Sequence, residues 1–468
     1  MTACHRLLEE ATSVLDGVHR LPDRPLPDPA RRLRSRWPGS RRGLAVGAAA
    51  AVLTSVLAAC GGGGGGGVPT LTWYTNPDSG GQAEIASRCT DAAQGRYRIE
   101  TAVLPRDASS QREQLIRRLA ANDSSIDIMS LDPPFIPEFA QAGFLAPVPA
   151  DVAGRVTEDV VESAIEGSTW NGELVAVPFW ANTQLLWYRK SVVEAAGLDM
   201  TQPVTWDQLI TAAKDQDVLL GVQGARAESL TVWFNALIES AGGSIIADNS
   251  TDPDNIQLGL TSDAGLRAVQ VMRDISRSGQ AGASLSTATE DTTATGFEGP
   301  DAGFQVNYPF VWGRALAAVE AGTMEQSVPD DFGWALYPQV DQGTDSAPPY
   351  GGINLGISAF SQHVDFAYAA SECITSTENQ AYYFTTNGNP ASDTTVYDDP
   401  DVLKVFPMAP TILQSLDQAA PRPQTPYYSE VSGGLQREYH PTSSVNPKTT
   451  PQKATDFITA VLRKEQLL

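Results

Sequence analysis

Histidine is scarce in this 468-residue chain, with four in all. His5 and His19 fall near the start, which leaves His363 and His440, far apart and without metal-ligand spacing. No Ser–His–Asp arrangement, HExxH string or P-loop is present, so the commonest hydrolytic and nucleotide-driven chemistries have no footing. Positive charge is also short, with 32 Lys and Arg against 55 Asp and Glu and a net charge of −23. Residues 1–59 hold 9 basic and 5 acidic residues, so the rest carries 23 against 50, a net −27. Such a surface argues against nucleic acid and against docking flat on anionic lipid. Long apolar runs are missing too. The longest near the N-terminus, Leu44 to Val56, falls short of the roughly 20 residues a membrane span needs.

What precedes residue 60 is ordered. Arg31, Arg32, Arg34, Arg36, Arg41 and Arg42 form a positive block, followed by the apolar run and then Leu57-Ala58-Ala59-Cys60. That is the layout of a secretory signal, and its end resembles the lipobox of bacterial lipoproteins. The resemblance implies that Cys60 is lipidated after cleavage and holds the protein on the extracytoplasmic face of the cell membrane. Several acyl chains anchor stably where one does not. Ser40-Arg41-Arg42 touches on a twin-arginine signal but lacks an aromatic after it. Residues before Arg31 do not look like a signal and are set aside. Gly61 to Gly67 follow, a flexible linker with a span of roughly 15 Å. The expected division is 1–59 as leader and signal and 60–67 as lipidated cysteine and linker. Cys89 and Cys373 are then an even pair in an exported chain, so a disulfide is expected. Two buried thiols are the other reading.

From Thr70 the chain alternates. "TLTWYT" reads as a strand, "GQAEIASRCTDAAQG" as a helix ending near Gly95, and "YRIETAVLP" as a second strand. "QREQLIRRLAAND" is an amphipathic helix with Leu115, Ile116 and Leu119 on one side, and "IDIMSLD" is a third strand. A proline-opened helix then stops at Gly143. This order implies an α/β fold with mostly parallel sheets and flanking helices. Ligands on such sheets bind beyond the carboxyl ends of strands. Asp78 and Asp132 sit at two such ends, where Asp also serves as a helix cap.

The segment Gly167 to Lys214 carries the most specific pattern. It holds Trp170-Asn171-Gly172, Val177-Pro178, Leu185-Leu186-Trp187-Tyr188-Arg189, Ala196-Gly197-Leu198 and Val204-Thr205-Trp206-Asp207 in fixed order. It resembles the extracellular solute-binding proteins of ABC importers, sugar-binding group, and "WFNALIESAGGSII" and "GGINLGIS" extend the likeness. "MSLD", "ANTQLLWYR", "VNYPFVW", "GGINL" and "PRPQTPYY" are most similar to the trehalose-binding lipoproteins of actinobacteria. The resemblance implies a two-lobed periplasmic-binding-protein-like fold with hinge crossings, a monomer that binds a disaccharide (trehalose or a close relative) between the lobes, and ABC permease subunits as partners. It implies no cofactor and no metal. By local match, lobe 1 is 68–181 plus 352–402, and lobe 2 is 182–351 plus 403–468. The site carried over comprises Asp78, Gln111, Asp132, Asn182, Asp291, Tyr308 and Arg422, with Gly352 and Asn354 close by. Tyr308 stands where the family leads one to expect Trp.

The residue types support a neutral sugar independently. Asp, Asn, Gln and Arg pair with adjacent hydroxyls, and aromatic rings cover the C–H faces of a sugar ring. Trp187, Trp206 and Trp233 read first as core, and Glu228 reads first as a helix cap and second as a ligand contact. A secreted glycosidase with two carboxylates, or a binder of cell-wall polysaccharide, are the rival classes. The expectation is a binding protein and not an enzyme.

Overall fold

The computed structural model describes residues 67–468. The arginine block, Cys60 and most of the glycine run lie outside the described residues. The first strand, β1 (Thr70–Thr75), is followed by α1 (Gly81–Ala92), β2 (Arg98–Val103), α2 (Ala108–Leu119) and β3 (Ile128–Leu131). β1 pairs in parallel with both β2 and β3, as the βαβαβ order predicts. α2 starts where the Asp107 carboxylate accepts from the Ser110 N–H, a cap that satisfies one of the helix's free donors. Leu115 and Leu119 are buried on its inner face at a spacing of four, while Ile116 is half-buried. The chain leaves β3 through a 3-10 turn at Pro133–Phe135, and the short helix after it ends near Gly143, whose φ is 71°.

Two strands then do the crossing. β4 (Val177–Asn182) and β5 (Leu185–Arg189) are separated only by Thr183 and Gln184, yet they belong to different sheets. α3 (Trp206–Asp215) follows, opened by a capping box between Thr205 and Gln208. Next come β6 (Leu219–Gly221), α4 (Glu228–Ser240), α5 (Glu290–Phe297), β7 (Ala302–Asn307) and β8 (Phe332–Ala335). β9 (Pro349–Ile357) precedes α6 (Val364–Ile374) and α7 (Thr377–Asn387), and β10 (Ala420–Pro421) leads to α8 (Tyr428–Tyr439).

The larger sheet has the order β10-β9-β3-β1-β2, with β4 also on β9. The smaller has the order β8-β5-β7-β6. The antiparallel pairs within these two sheets all involve β5 or β9. The parallel βαβ units therefore keep their expected sense, and the strands that bring the chain back supply the mixed character. The fold is mixed α/β in two lobes, one built on each sheet.

The tryptophans of the crossing segment are core. Trp187, Trp206 and Trp233 are fully buried, and Trp206 meets Tyr337 edge-on at 5.7 Å. Phe384, Tyr397, Phe406 and Ile412 share one apolar cluster with Trp187 and Phe332 of the smaller sheet, so residues that follow β9 also pack against the second lobe. Cys89 of α1 and Cys373 of α6 are joined by a disulfide that closes a loop of 284 residues.

Candidate functional site

A cavity of ≈ 590 Å³ opens at the carboxyl ends of β1 and β3 and is bordered by the starts of α4 and α5. Asn76 and Asp132 reach it from the larger sheet, Trp180 and Asn182 from β4, and Gly351 to Ile353 from β9. Glu228, Glu290, Asp291 and Tyr308 reach it from the side of the smaller sheet, and Arg422 from the segment after β10. Both sheets therefore contribute walls, because β4 and β9 run past the cavity between them.

Arg422 is the centre of the polar wall. Its side chain is 6% exposed, and those of Asp132 and Glu228 are 17% and 15% exposed. Its Nη2 donates to Asp132 Oδ1 at 2.5 Å, and Nη1 donates to Asp132 Oδ2 at 3.3 Å and to Glu228 Oε1 at 2.8 Å. The fork thus grips Asp132 with two nitrogens while sharing one with Glu228, a use of planar geometry that Lys has no means to copy. Burial alone pulls the guanidinium pKa down. The neighbouring Asp132, Tyr428 and Glu228 outweigh it and hold that pKa well above its ordinary value. For Glu228 burial dominates in the opposite sense and pushes the carboxyl up, against the pull of Arg422 and Tyr428.

Of the residues expected from sequence, Gln111, Asp132, Asn182, Asp291, Tyr308, Gly352 and Arg422 line this one cavity. Asp78 and Asn354 do not. The Asp78 carboxylate accepts from the backbone N–H groups of Gly80 at 2.9 Å and Gln82 at 2.8 Å, which makes it the cap that starts α1. Asp132 stands at an equivalent strand end but makes no capping bond, so its carboxylate is free for Arg422. Asn354 is fully buried and donates to the Gly167 carbonyl at 3.1 Å. The pairing of β9 with β4 shifts between Ile353 and Asn354, with Phe179 the extra residue on β4. Gly352 itself has φ of 117°, and a Cβ there would lie 2.1 Å from the Trp180 carbonyl oxygen. Only glycine fits.

Several lining residues carry no sequence motif. Asn76 donates to Gln111 Oε1 at 2.8 Å, and Gln111 donates in turn to the Pro105 carbonyl at 2.7 Å, which fixes both amides. Trp180 and Tyr383 lie side by side, ring centroids 6.3 Å apart, and with Tyr308 they give the cavity its aromatic surface. Glu228 makes no capping bond at the start of α4 and turns to Arg422. Glu290, the neighbour of Asp291, also faces the cavity. Burial raises its carboxyl pKa, with Asp291 and Glu228 adding to the effect. The Tyr308 phenol is raised by burial first and by Glu290 second.

Among the described residues no group of His, Cys, Asp and Glu is placed to hold a metal ion. The cavity instead offers carboxylate acceptors on Asp132, Glu290 and Asp291, fixed amides at Asn76 and Gln111, and three aromatic faces. Such a surface suits a neutral ligand that is polar around its edge and apolar on its faces.

Comparison with known proteins places the chain. Residues 98–381 match the family model described as bacterial extracellular solute-binding protein. A probable ABC transporter-binding protein of Deinococcus radiodurans is 22% identical over 374 residues, 76% of this chain and 84% of that one. Among solved structures, maltose-bound MalE3 of T. maritima is similar with a TM-score of 0.71 and 26% identity, covering 85% of this chain and 100% of the other. The GacH receptor of Streptomyces glaucescens, solved unliganded and with acarbose, shares the fold at a TM-score of 0.67 and 20% identity, over 85% of this chain and 98% of its own.

Proposed function

Since the chain belongs to the bacterial extracellular solute-binding proteins, we propose that it captures a disaccharide, trehalose or a close relative, and delivers it to the permease of an ABC importer. The matching family and the similar solved structures are substrate-binding proteins. The observation that carries the reading is the Arg422 bridge. One side chain links Asp132 at the end of a strand in the larger sheet to Glu228 at the start of a helix over the smaller. A ligand that pairs with Asp132 from one lobe and with Glu290 or Asp291 from the other contacts both lobes at once and favours their closed arrangement by its differential affinity for it.

The volume fits. Small-molecule sites run from roughly 300 to 1,000 Å³, and ≈ 590 Å³ accommodates two sugar rings with the waters they retain. Two of the similar structures support an oligosaccharide: MalE3 was solved with maltose, and a cyclic alpha-maltosyl-1,6-maltose binding protein of Arthrobacter globiformis has the same fold. Tyr308 adds a hydroxyl to one aromatic wall, which favours a relative of trehalose with a further acceptor at that face. The lobes are taken as 68–181 with 352–402 and 182–351 with 403–468, and the protein as a monomer tethered through Cys60. Among the described residues no helix is long and apolar enough to cross a membrane.

A thermal-shift screen of trehalose, maltose, sucrose, glucose and a sugar phosphate tests the assignment. Stabilisation by a neutral disaccharide, with no glucose released on long incubation, is the expected result. Glucose release would return the glycosidase reading, and stabilisation only by long polysaccharides would return the cell-wall reading.

A further inference from the structure

Behind the cavity wall, out of its reach, lies a second set of polar side chains. Tyr428, Ser432 and Gln436 follow one another at intervals of four on α8 and so share one face of it. Tyr428 and Ser432 are 1% and 3% exposed. The Tyr428 hydroxyl donates to Glu228 Oε1, and the Ser432 hydroxyl donates to Glu228 Oε2 at 2.7 Å. Gln436 Nε2 donates to Ser432 Oγ at 3.0 Å, and the Thr231 hydroxyl lies 2.8 Å from the same oxygen. Ser432 has one proton. With that proton on Glu228, both Thr231 and Gln436 must donate to Ser432, and the chain of hydrogen bonds runs in one direction toward the carboxylate.

We propose that Tyr428 and Ser432 are positioning residues that hold the Glu228 carboxylate charged and aimed at Arg422, and thereby set the affinity of a cavity they do not line. The geometry is that of an acceptor-only group. Arg422 has nothing to accept with, and Tyr428 and Ser432 both spend their protons on Glu228, as an ionised carboxylate requires. A protonated Glu228 would bring a fourth proton into a shell already full of donors. Hydrogen bonds to the charged form favour it, and burial opposes it. The charged and titratable groups facing Glu228 are Arg422 after β10, Asp132 at the end of β3, Tyr428 on α8, and Glu290 and Tyr308 across the cavity. Of these Arg422 alone is cationic, and the two hydroxyls on α8 add to its pull on the charged form against burial. If Glu228 took up a proton it would release its share of Arg422, and the two-lobe bridge would reduce to the Asp132 pair.

This inference rests on the sugar-binding reading only for its effect on affinity, and the test separates the two. Infrared titration of the ligand-free protein follows the carbonyl stretch of protonated carboxyls, with the Glu228 band assigned by its loss in Glu228→Gln. The Glu228 midpoint is expected to rise by about one pH unit or more in Tyr428→Phe and in Ser432→Ala, each of which removes one donor to the charged form. Ser432→Thr, which keeps the hydroxyl, should restore it. Calorimetry with trehalose at pH 7 should show about a tenfold weaker complex in both donor-deleted variants. A variant that lost only packing would unfold more readily without moving the infrared midpoint. An unmoved midpoint in folded Ser432→Ala, the gentler change, overturns the proposal. Should trehalose fail to bind even the wild type, the sugar reading falls, and the midpoints still decide whether these hydroxyls hold Glu228 charged.

Discussion

Replacing Arg422 with Ala removes the cation that pairs with both Asp132 and Glu228, two largely buried carboxylates. Three donated hydrogen bonds disappear, and Asp132 and Glu228 are left facing the cavity without their counter-ion. Deleting one partner of a buried ion pair costs about 3–5 kcal/mol, because the other charge stays buried. Here the Tyr428 and Ser432 hydroxyls still serve Glu228, and both carboxylates keep some exposure, so the lower end, about 3 kcal/mol at pH 7, is the expectation. The pH dependence has a definite sign. The Glu228 carboxyl is already raised by burial, and losing Arg422 raises it further. A carboxyl whose folded pKa lies above its unfolded value favours the folded state at low pH and loses that contribution as pH rises. The gap between variant and wild type should therefore narrow from pH 7 to pH 5. Urea unfolding of the oxidised protein at the two pH values measures both. A loss below about 1 kcal/mol at pH 7, the size of a surface pair, together with an unchanged gap at pH 5, would refute the reasoning.

Three further outcomes follow from other parts of the molecule. Gly352→Ala places a methyl group against the Trp180 carbonyl at a φ that side chains avoid, so it should cost roughly 2–4 kcal/mol in chemical unfolding and weaken sugar binding, because Trp180 lines the cavity. Burial raises the Glu239 carboxyl to about 7 from 4.5, so the wild type should lose stability as pH rises from 5 to 8. Glu239→Gln should flatten that part of the profile and gain up to about 3 kcal/mol at pH 8, and an unaltered slope in unfolding experiments would contradict the assignment. Cys60→Ser should leave an unlipidated precursor, and the anchor assignment fails if cell fractionation finds the variant cleaved at the usual place and still held in the membrane.

Much of the architecture could be read from the pattern of residues, because β1, α1, β2, α2 and β3 obey local rules of alternation, capping and glycine stops. The site was legible where a motif carried it, as with Asp132 in "MSLD" and Arg422 in "PRPQTPYY". It was not legible where one residue type serves two ends. Asp78 and Asp132 both follow strands and precede helical turns. Only the three-dimensional position of Arg422 leaves one carboxylate free and lets the other cap. Asn354 serves the Gly167 carbonyl, 187 residues away, a contact that no composition reveals. Trp180 escaped notice because "VPFWAN" has no clean alternation: Val177, Pro178 and Phe179 are all buried, and the strand presents Trp180 to the cavity only through its pairing with β9. Glu228 reads as a cap because it opens a helix, and the partners that claim it, Tyr428 and Ser432, lie 200 and 204 residues away.

The central claim is that one disaccharide is held between the lobes by Asp132 and Arg422. Calorimetric titration of trehalose into the wild type, Asp132→Ala and Trp206→Phe tests it most directly. Binding at a single site in the wild type is predicted, at least about tenfold weaker in Asp132→Ala, where a buried guanidinium loses its main partner. Trp206→Phe, which changes only the core, should keep the wild-type affinity. Equal affinity in the wild type and Asp132→Ala, or no heat with trehalose or any neutral disaccharide, would contradict the account.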